Sequence, residues 1–210
     1  MPYCKLDAAA LLSVANAPWQ LEEVDLSDND FSSAAAGPVL AALARRHAGL
    51  RRLNVSHSSL SAAGFKALVE ATWPALTYLA ARKAEAAFNG PPALGAAAFA
   101  GFPALEELSL SLVRLGEAGA RLLASRRWAR LRRLELAGCE MGDAGLAALA
   151  RGEFPALEWL DLRDNGLGAP LALDAARRWA PALEDLLEAV DEQEIDSLGS
   201  DSDESGWQSE

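Results

Sequence analysis

Residues 131–156 read LRRLELAGCEMGDAGLAALARGEFPA, and the rest of the chain repeats them with variations. Directly before this stretch stands Leu105–Arg130, LEELSLSLVRLGEAGARLLASRRWAR, and directly after it Leu157–Ala182, LEWLDLRDNGLGAPLALDAARRWAPA. Each segment opens with the spacing L-x-x-L-x-L-x-x-(N/C/V)-x-(L/M). A fixed period of this length marks a stack of structural repeats, in which no unit can bury its apolar face alone. Less regular openings precede these three at Leu21, Leu50 and Leu76, and Leu183 begins a seventh.

Within each opening, the spacing of two between residues such as Leu134 and Leu136 is that of a short strand with one face turned inward. The run Ala144–Ala150 then has the spacing of three that a buried helical stripe needs. Gly64, Gly119 and Gly145 share one column, where the lack of a side chain is expected to let the helix lie close to its strand. Trp73-Pro74, Phe102-Pro103 and Phe154-Pro155 are expected to end the helices and to cover the core between units. Ser61 is placed to cap the second helix. The Leu76 unit is expected to be the least regular, because Ala81 and Ala84 replace larger core residues and Asn89-Gly90-Pro91-Pro92 reads as a loop.

This pattern resembles the leucine-rich repeat family, and its ribonuclease-inhibitor-like subtype matches best. The resemblance rests on Leu131, Leu134, Leu136, Cys139, Met141, Gly142, Gly145, Leu146, Leu149 and Ala150 and on the same columns in neighbouring units. The fold class it implies is α/β, a curved solenoid with parallel strands on the concave side and helices on the convex side. The expected organisation is an N-terminal capping helix over 1–18, a repeat domain over 19–183, a C-terminal capping helix over 184–190 and a disordered acidic tail over 191–210. In the first of these, Asp7 is placed to cap a helix from Ala8, with Leu6 and Leu11 as a hydrophobic staple, and Asn16-Ala17-Pro18 ends it. A secretory signal is the alternative reading of that apolar run.

Charge divides the chain in two. The net charge is −11, yet all 19 Lys and Arg lie in residues 1–183, where the acids balance them. Residues 184–210 hold 11 acids and no base. Nucleic-acid binding is therefore not expected, since it needs cations against phosphates. No apolar run reaches membrane-spanning length. The two cysteines, Cys4 and Cys139, are too few for a disulfide framework, and Cys139 falls in an interior column. These readings place the protein inside the cell, in cytoplasm or nucleus, as a monomer without a cofactor.

Parallel stacking turns equivalent positions into ladders across the concave face. The third position reads Glu23, Arg52, Tyr78, Glu107, Arg133, Trp159 and Asp185; the fifth reads Asp25, Asn54, Ala80, Ser109, Glu135 and Asp161. The plain reading is that Glu23 pairs with Arg52, and Glu107 with Arg133, as surface ion pairs worth under about 1 kcal/mol each. The sharper reading is a surface for a protein partner, with Tyr78 and an exposed Trp159 as aromatic anchors. Arg126–Arg133 holds five arginines in eight residues. They are read either as offsetting a helix dipole or as a dock for an acidic segment, the chain's own tail included. In that tail Ser200 and Ser202 precede acids, the setting acidophilic kinases prefer, and Trp207 is an aromatic that could anchor it. The alternative is a tail that only solubilises.

No catalytic constellation is present in the sequence. His47 and His57 are the only histidines, and Ser56 beside His57 is adjacency rather than a nucleophile with its base. No phosphate loop, zinc spacing or nucleophile elbow occurs, so an enzyme is not expected. The resemblance implies a scaffold holding a protein partner. Ran GTPase-activating proteins and acidic leucine-rich nuclear phosphoproteins share the body-plus-tail plan, the first with more repeats and the second with shorter ones. A ubiquitin-ligase substrate receptor is a further form of the scaffold.

Overall fold

The computed structural model describes residues 8–33, 36–84, 94–166 and 168. The elements run α1 (Ala8–Ala15), β1 (Glu23–Asp25), α2 (Ala36–Arg46), β2 (Arg52–Asn54), α3 (Ala62–Glu70), β3 (Tyr78–Ala80), β4 (Glu107–Ser109), α4 (Gly116–Ala124), β5 (Arg133–Glu135), α5 (Gly142–Leu149) and β6 (Trp159–Asp161). The six strands form one parallel sheet in sequential order, each in register with the equivalent residues of the next unit. The ladder runs past the strands. The N–H groups of Asp28, His57, Lys83, Leu112 and Gly138 bond the carbonyls of Ser56, Arg82, Ser111, Ala137 and Arg163, at 2.7–3.0 Å. At that position the chain turns away from the sheet with positive φ in all six units, including Leu112 at 62°. Leucine rarely adopts this conformation, and its side chain is also exposed.

The core lies between sheet and helices. Leu53, Leu79, Leu108 and Leu134 in the fourth column, and Val55, Leu110 and Leu136 in the sixth, are buried. Burying each leucine contributes roughly 1.5–3 kcal/mol, and the contribution depends on the neighbouring unit being in place. α1 packs on α2, and Ala15 joins the same core. Ser61 caps α3 by accepting the Gly64 N–H at 3.2 Å. Asp7, the staple residue Leu6, Asn89–Pro92, Asp185, the C-terminal cap and the acidic tail with Ser200, Ser202 and Trp207 lie outside the described residues.

Three expectations need correction. The shared glycine column does not face the strand. A methyl group at Gly64, Gly119 or Gly145 would strike the side chain four residues earlier, coming within 2.6–2.7 Å of Leu60, Leu115 or Met141. The prolines do not end the helices either, because α3 stops at Glu70 and α5 at Leu149, several residues before Pro74 and Pro155. Where a helix stops, a turn and the aromatic column take over its carbonyls: the indole N–H of Trp73 donates to Leu68 O at 3.0 Å. Trp128 repeats the bond to Leu123 O at 2.9 Å. Lastly, Arg126 and Arg127 lie beyond α4 and its C-cap Ser125 rather than in its last turn.

The third unit departs from its neighbours among the described residues. Its strand forms, and Ala81 and Ala84 are fully buried, but residues 96–101 run as turns and no helix lies between α3 and α4 among the described residues. Arg126 crosses from the next unit to donate to the carbonyls of Ala96 and Ala98. Phe99 packs against Trp128 with ring centroids 6.3 Å apart.

His47 takes the place in the second unit that Trp73, Phe102, Trp128 and Phe154 take in theirs, three residues before the next leucine. It is 1% exposed, and among the described residues neither ring nitrogen has a hydrogen-bond partner. Leaving a polar group unpaired in the interior costs about 1–3 kcal/mol. His47→Phe is therefore expected to stabilise the fold by about 1–2 kcal/mol in urea unfolding. A loss of stability would show that the imidazole has a partner after all.

Candidate functional site

The candidate face of the sheet is built from the third and fifth columns, and each column behaves differently. In the fifth, Asp25, Asn54 and Asp161 turn their side-chain oxygens to the backbone N–H of Ser27, Ser56 and Arg163, at 2.9–3.1 Å. These bonds brace the turn that leaves each strand. Glu135 accepts from the Ser109 hydroxyl and from Arg133 Nε. Ala80 and Ser109 are small and buried, so the column has a low floor at its middle.

The electrostatics follow from these contacts. Burial works to raise the Asp161 pKa, but the Arg163 guanidinium and N–H outweigh it and hold the carboxyl below the usual range. The guanidinium grips both carboxylate oxygens, at 3.0 and 2.7 Å. Burial opposes the Ser27 hydroxyl and N–H at Asp25 as well, again with a net lowering. Cys139, in the interior, has its thiol pushed up to about 12, chiefly by burial, and is inert as a nucleophile.

The third column is where side chains remain available. Its register is Glu23, Arg52, Tyr78, Glu107, Arg133, Trp159 from β1 to β6. The plain reading expected ion pairs Glu23–Arg52 and Glu107–Arg133, but neither forms among the described residues, and Arg133 meets Glu135 instead. Each arginine instead turns to the aromatic residue of the following strand. Arg52 lies over the Tyr78 ring at 4.0 Å and Arg133 over the Trp159 ring at 3.6 Å. A ring in a sheet column offers its electron-rich face to a cation one strand away, a contact of the same order as a surface ion pair. Trp159 is thus half-buried under its arginine, not openly exposed. Burial raises the Tyr78 pKa, helped by Glu135 and Glu107 and opposed by Arg52 and Arg82, so charges of both signs surround its ring. Tyr78 and Trp159 stand three strands apart, about 14 Å, and act as two separate anchors.

The arginines of 126–133 do not converge. Arg126 holds two carbonyls, Arg127 meets Glu153 at 3.7 Å, and Arg132 meets Glu158 at 2.6 Å. Arg133 meets Glu135 at 3.0 Å while it covers Trp159. In the turn after β2, the Ser56 hydroxyl accepts the Arg82 N–H at 3.2 Å. Among the described residues no cluster of three or more metal-ligating side chains occurs, and no helix is long and apolar enough to cross a membrane.

Two features of the face escaped the reading of columns. The arginine–aromatic pairs had a signal, namely opposite characters one unit apart in the same column. The fifth-column turn bonds had one too, in Asp or Asn two residues before the turn.

A family model described as leucine-rich repeat matches residues 131–150. Those residues hold β5 and α5, and five further strands repeat the arrangement. Together they support a leucine-rich repeat protein, from a family whose domains generally mediate contacts between proteins and are typically non-catalytic. No curated protein matches the chain.

Proposed function

We propose that the chain is a non-catalytic scaffold of the ribonuclease-inhibitor-like subtype that holds a protein partner on its concave face, inside the cell and as a monomer. The observation that carries the reading is the pair of arginine-covered aromatics, Arg52–Tyr78 and Arg133–Trp159. A ring held by a cation loses little freedom on binding, and a rigid, half-buried aromatic is the side chain that dominates interfaces. The subtype is supported by the helices that follow β1, β2, β4 and β5.

Capture from cell lysate with the full chain, followed by calorimetry on the captured protein, tests the proposal. Trp159→Ala and Tyr78→Ala are each expected to weaken binding by about 2 kcal/mol, roughly thirtyfold, with the fold intact. Unchanged affinity in both variants, or a steep fall in melting temperature without loss of affinity per folded molecule, contradicts it. The captured protein also separates the forms of the scaffold: a GTPase, a basic nuclear protein, or subunits of a ubiquitin ligase.

A further inference from the structure

The structure redraws where an acidic segment would dock. On the sheet, the cations of β5 and β6 are committed: Arg132 to Glu158, Arg133 to Glu135 and Trp159, and Arg163 to Asp161. Those of the second and third units, which hold β2 and β3, are different. Residues 51–57 and 77–83 carry Arg51, Arg52, Arg82 and Lys83 and no acid. All four are exposed, and none forms an ion pair among the described residues. Arg52 lies over the Tyr78 ring at 4.0 Å, Arg51 directly precedes β2, and Arg82 and Lys83 follow β3. Acids border the stripe on both sides, Glu22, Glu23 and Asp25 on one and Glu106 and Glu107 on the other.

We infer that this stripe, along β2 and β3, is the docking surface for the chain's own acidic segment, residues 184–210. That segment holds 11 acids and no base, which makes it the complement of the stripe within the same molecule. The acidic borders allow an extended strand of negative charge to lie along the stripe and penalise one lying across it. Reach is sufficient whatever form the intervening residues take. From Gly168 to Asp191 the chain, even wound wholly as helix, spans about 35 Å, against about 14 Å from β6 to β3. Tethering also supplies an effective concentration of order millimolar, which weak surface charges need. The docked segment covers Tyr78 and competes with the partner for that half of the face. The inference rests on the scaffold reading only for this competition.

Zero-length carbodiimide cross-linking of the full chain tests it, because the reaction joins an amine only to a carboxylate in contact. Lys83 belongs to the stripe. Lys66, on α3 across the core from the sheet, meets Glu70 at 4.0 Å and supplies an internal standard for an intact fold. The expected result is Lys83 joined to acids of 184–210 within monomers, at about five times or more the yield for Lys66 with the same segment, and mostly lost at high salt, where charges are screened. Arg52→Glu combined with Arg82→Glu should remove that link and leave Lys66–Glu70 unchanged. Equal yields at Lys83 and Lys66, links found only between two chains, or a yield indifferent to the charge reversal would overturn the inference. None of these outcomes alters the affinity loss expected for Trp159→Ala, so the two readings fail separately.

Discussion

Asn165→Leu is expected to lower stability by about 3–5 kcal/mol, the largest effect of any single polar substitution in the described core. Asn165 is 4% exposed and joins two units through one carboxamide. Its oxygen accepts the N–H groups of Cys139 at 3.0 Å and Met141 at 3.3 Å. Its nitrogen donates to Leu136 O and Leu162 O, both at 2.8 Å. Leucine has nearly the same shape but leaves two donors and two acceptors buried without partners. Each such group costs about 1–3 kcal/mol, reduced where the backbone relaxes. Asn165→Ser should fall between, because Ser58 in the same column shows that a hydroxyl can serve the carbonyl three residues back. Urea unfolding measures both. A loss below about 1 kcal/mol for leucine would mean that the carboxamide is not the joint between these units.

Gly101→Ala is expected to cost about 3 kcal/mol, at the upper end for overpacking. An added methyl would stand 2.0 Å from Ala71 O and 2.9 Å from Thr72 Cα, and both obstacles are backbone. Neither segment can step aside freely, because the Trp73 N–H is bonded to Gly101 O at 2.8 Å. Gly49→Ala is the control: nothing lies within 4 Å of its added carbon, so its stability should hold or rise slightly. If the two alanine variants unfold together, the close approach at Gly101 carries no energetic weight.

The architecture was legible because a 26-residue period leaves one solution for the apolar columns. Leu134 and Leu136 must face inward if Leu108 and Leu110 do, and the register of the concave ladders follows from the same constraint. What the columns could not supply is direction within a column. Arg52 and Arg133 choose between a carboxylate on one neighbouring strand and a ring on the other, and only side-chain geometry decides for the ring. The left-handed turn after each strand also left no mark in composition, since Asp28, His57, Lys83, Leu112, Gly138 and Asp164 share it. Its cause is the backbone ladder, which those residues tolerate and do not select. His47 follows directly on α2, which ends at Arg46. Its burial follows from a column that holds Trp73 and Trp128 elsewhere.

That no helix lies between α3 and α4 among the described residues bears on how the molecule comes apart. α1 rests on α2, α2 on α3, and α4 on α5, but α3 and α4 have no comparable contact. A repeat stack behaves as a row of links, each unit coupled chiefly to its neighbours, and the row yields where the coupling is thinnest. That place is the junction where β3 and β4 pair, with the turns of 96–101 and the reach of Arg126 across them. The consequence is cooperativity in two parts. Residues 8–84 and 105–166 should each open and close as a body, and amide protons facing the junction should exchange through a partial opening that leaves both bodies folded.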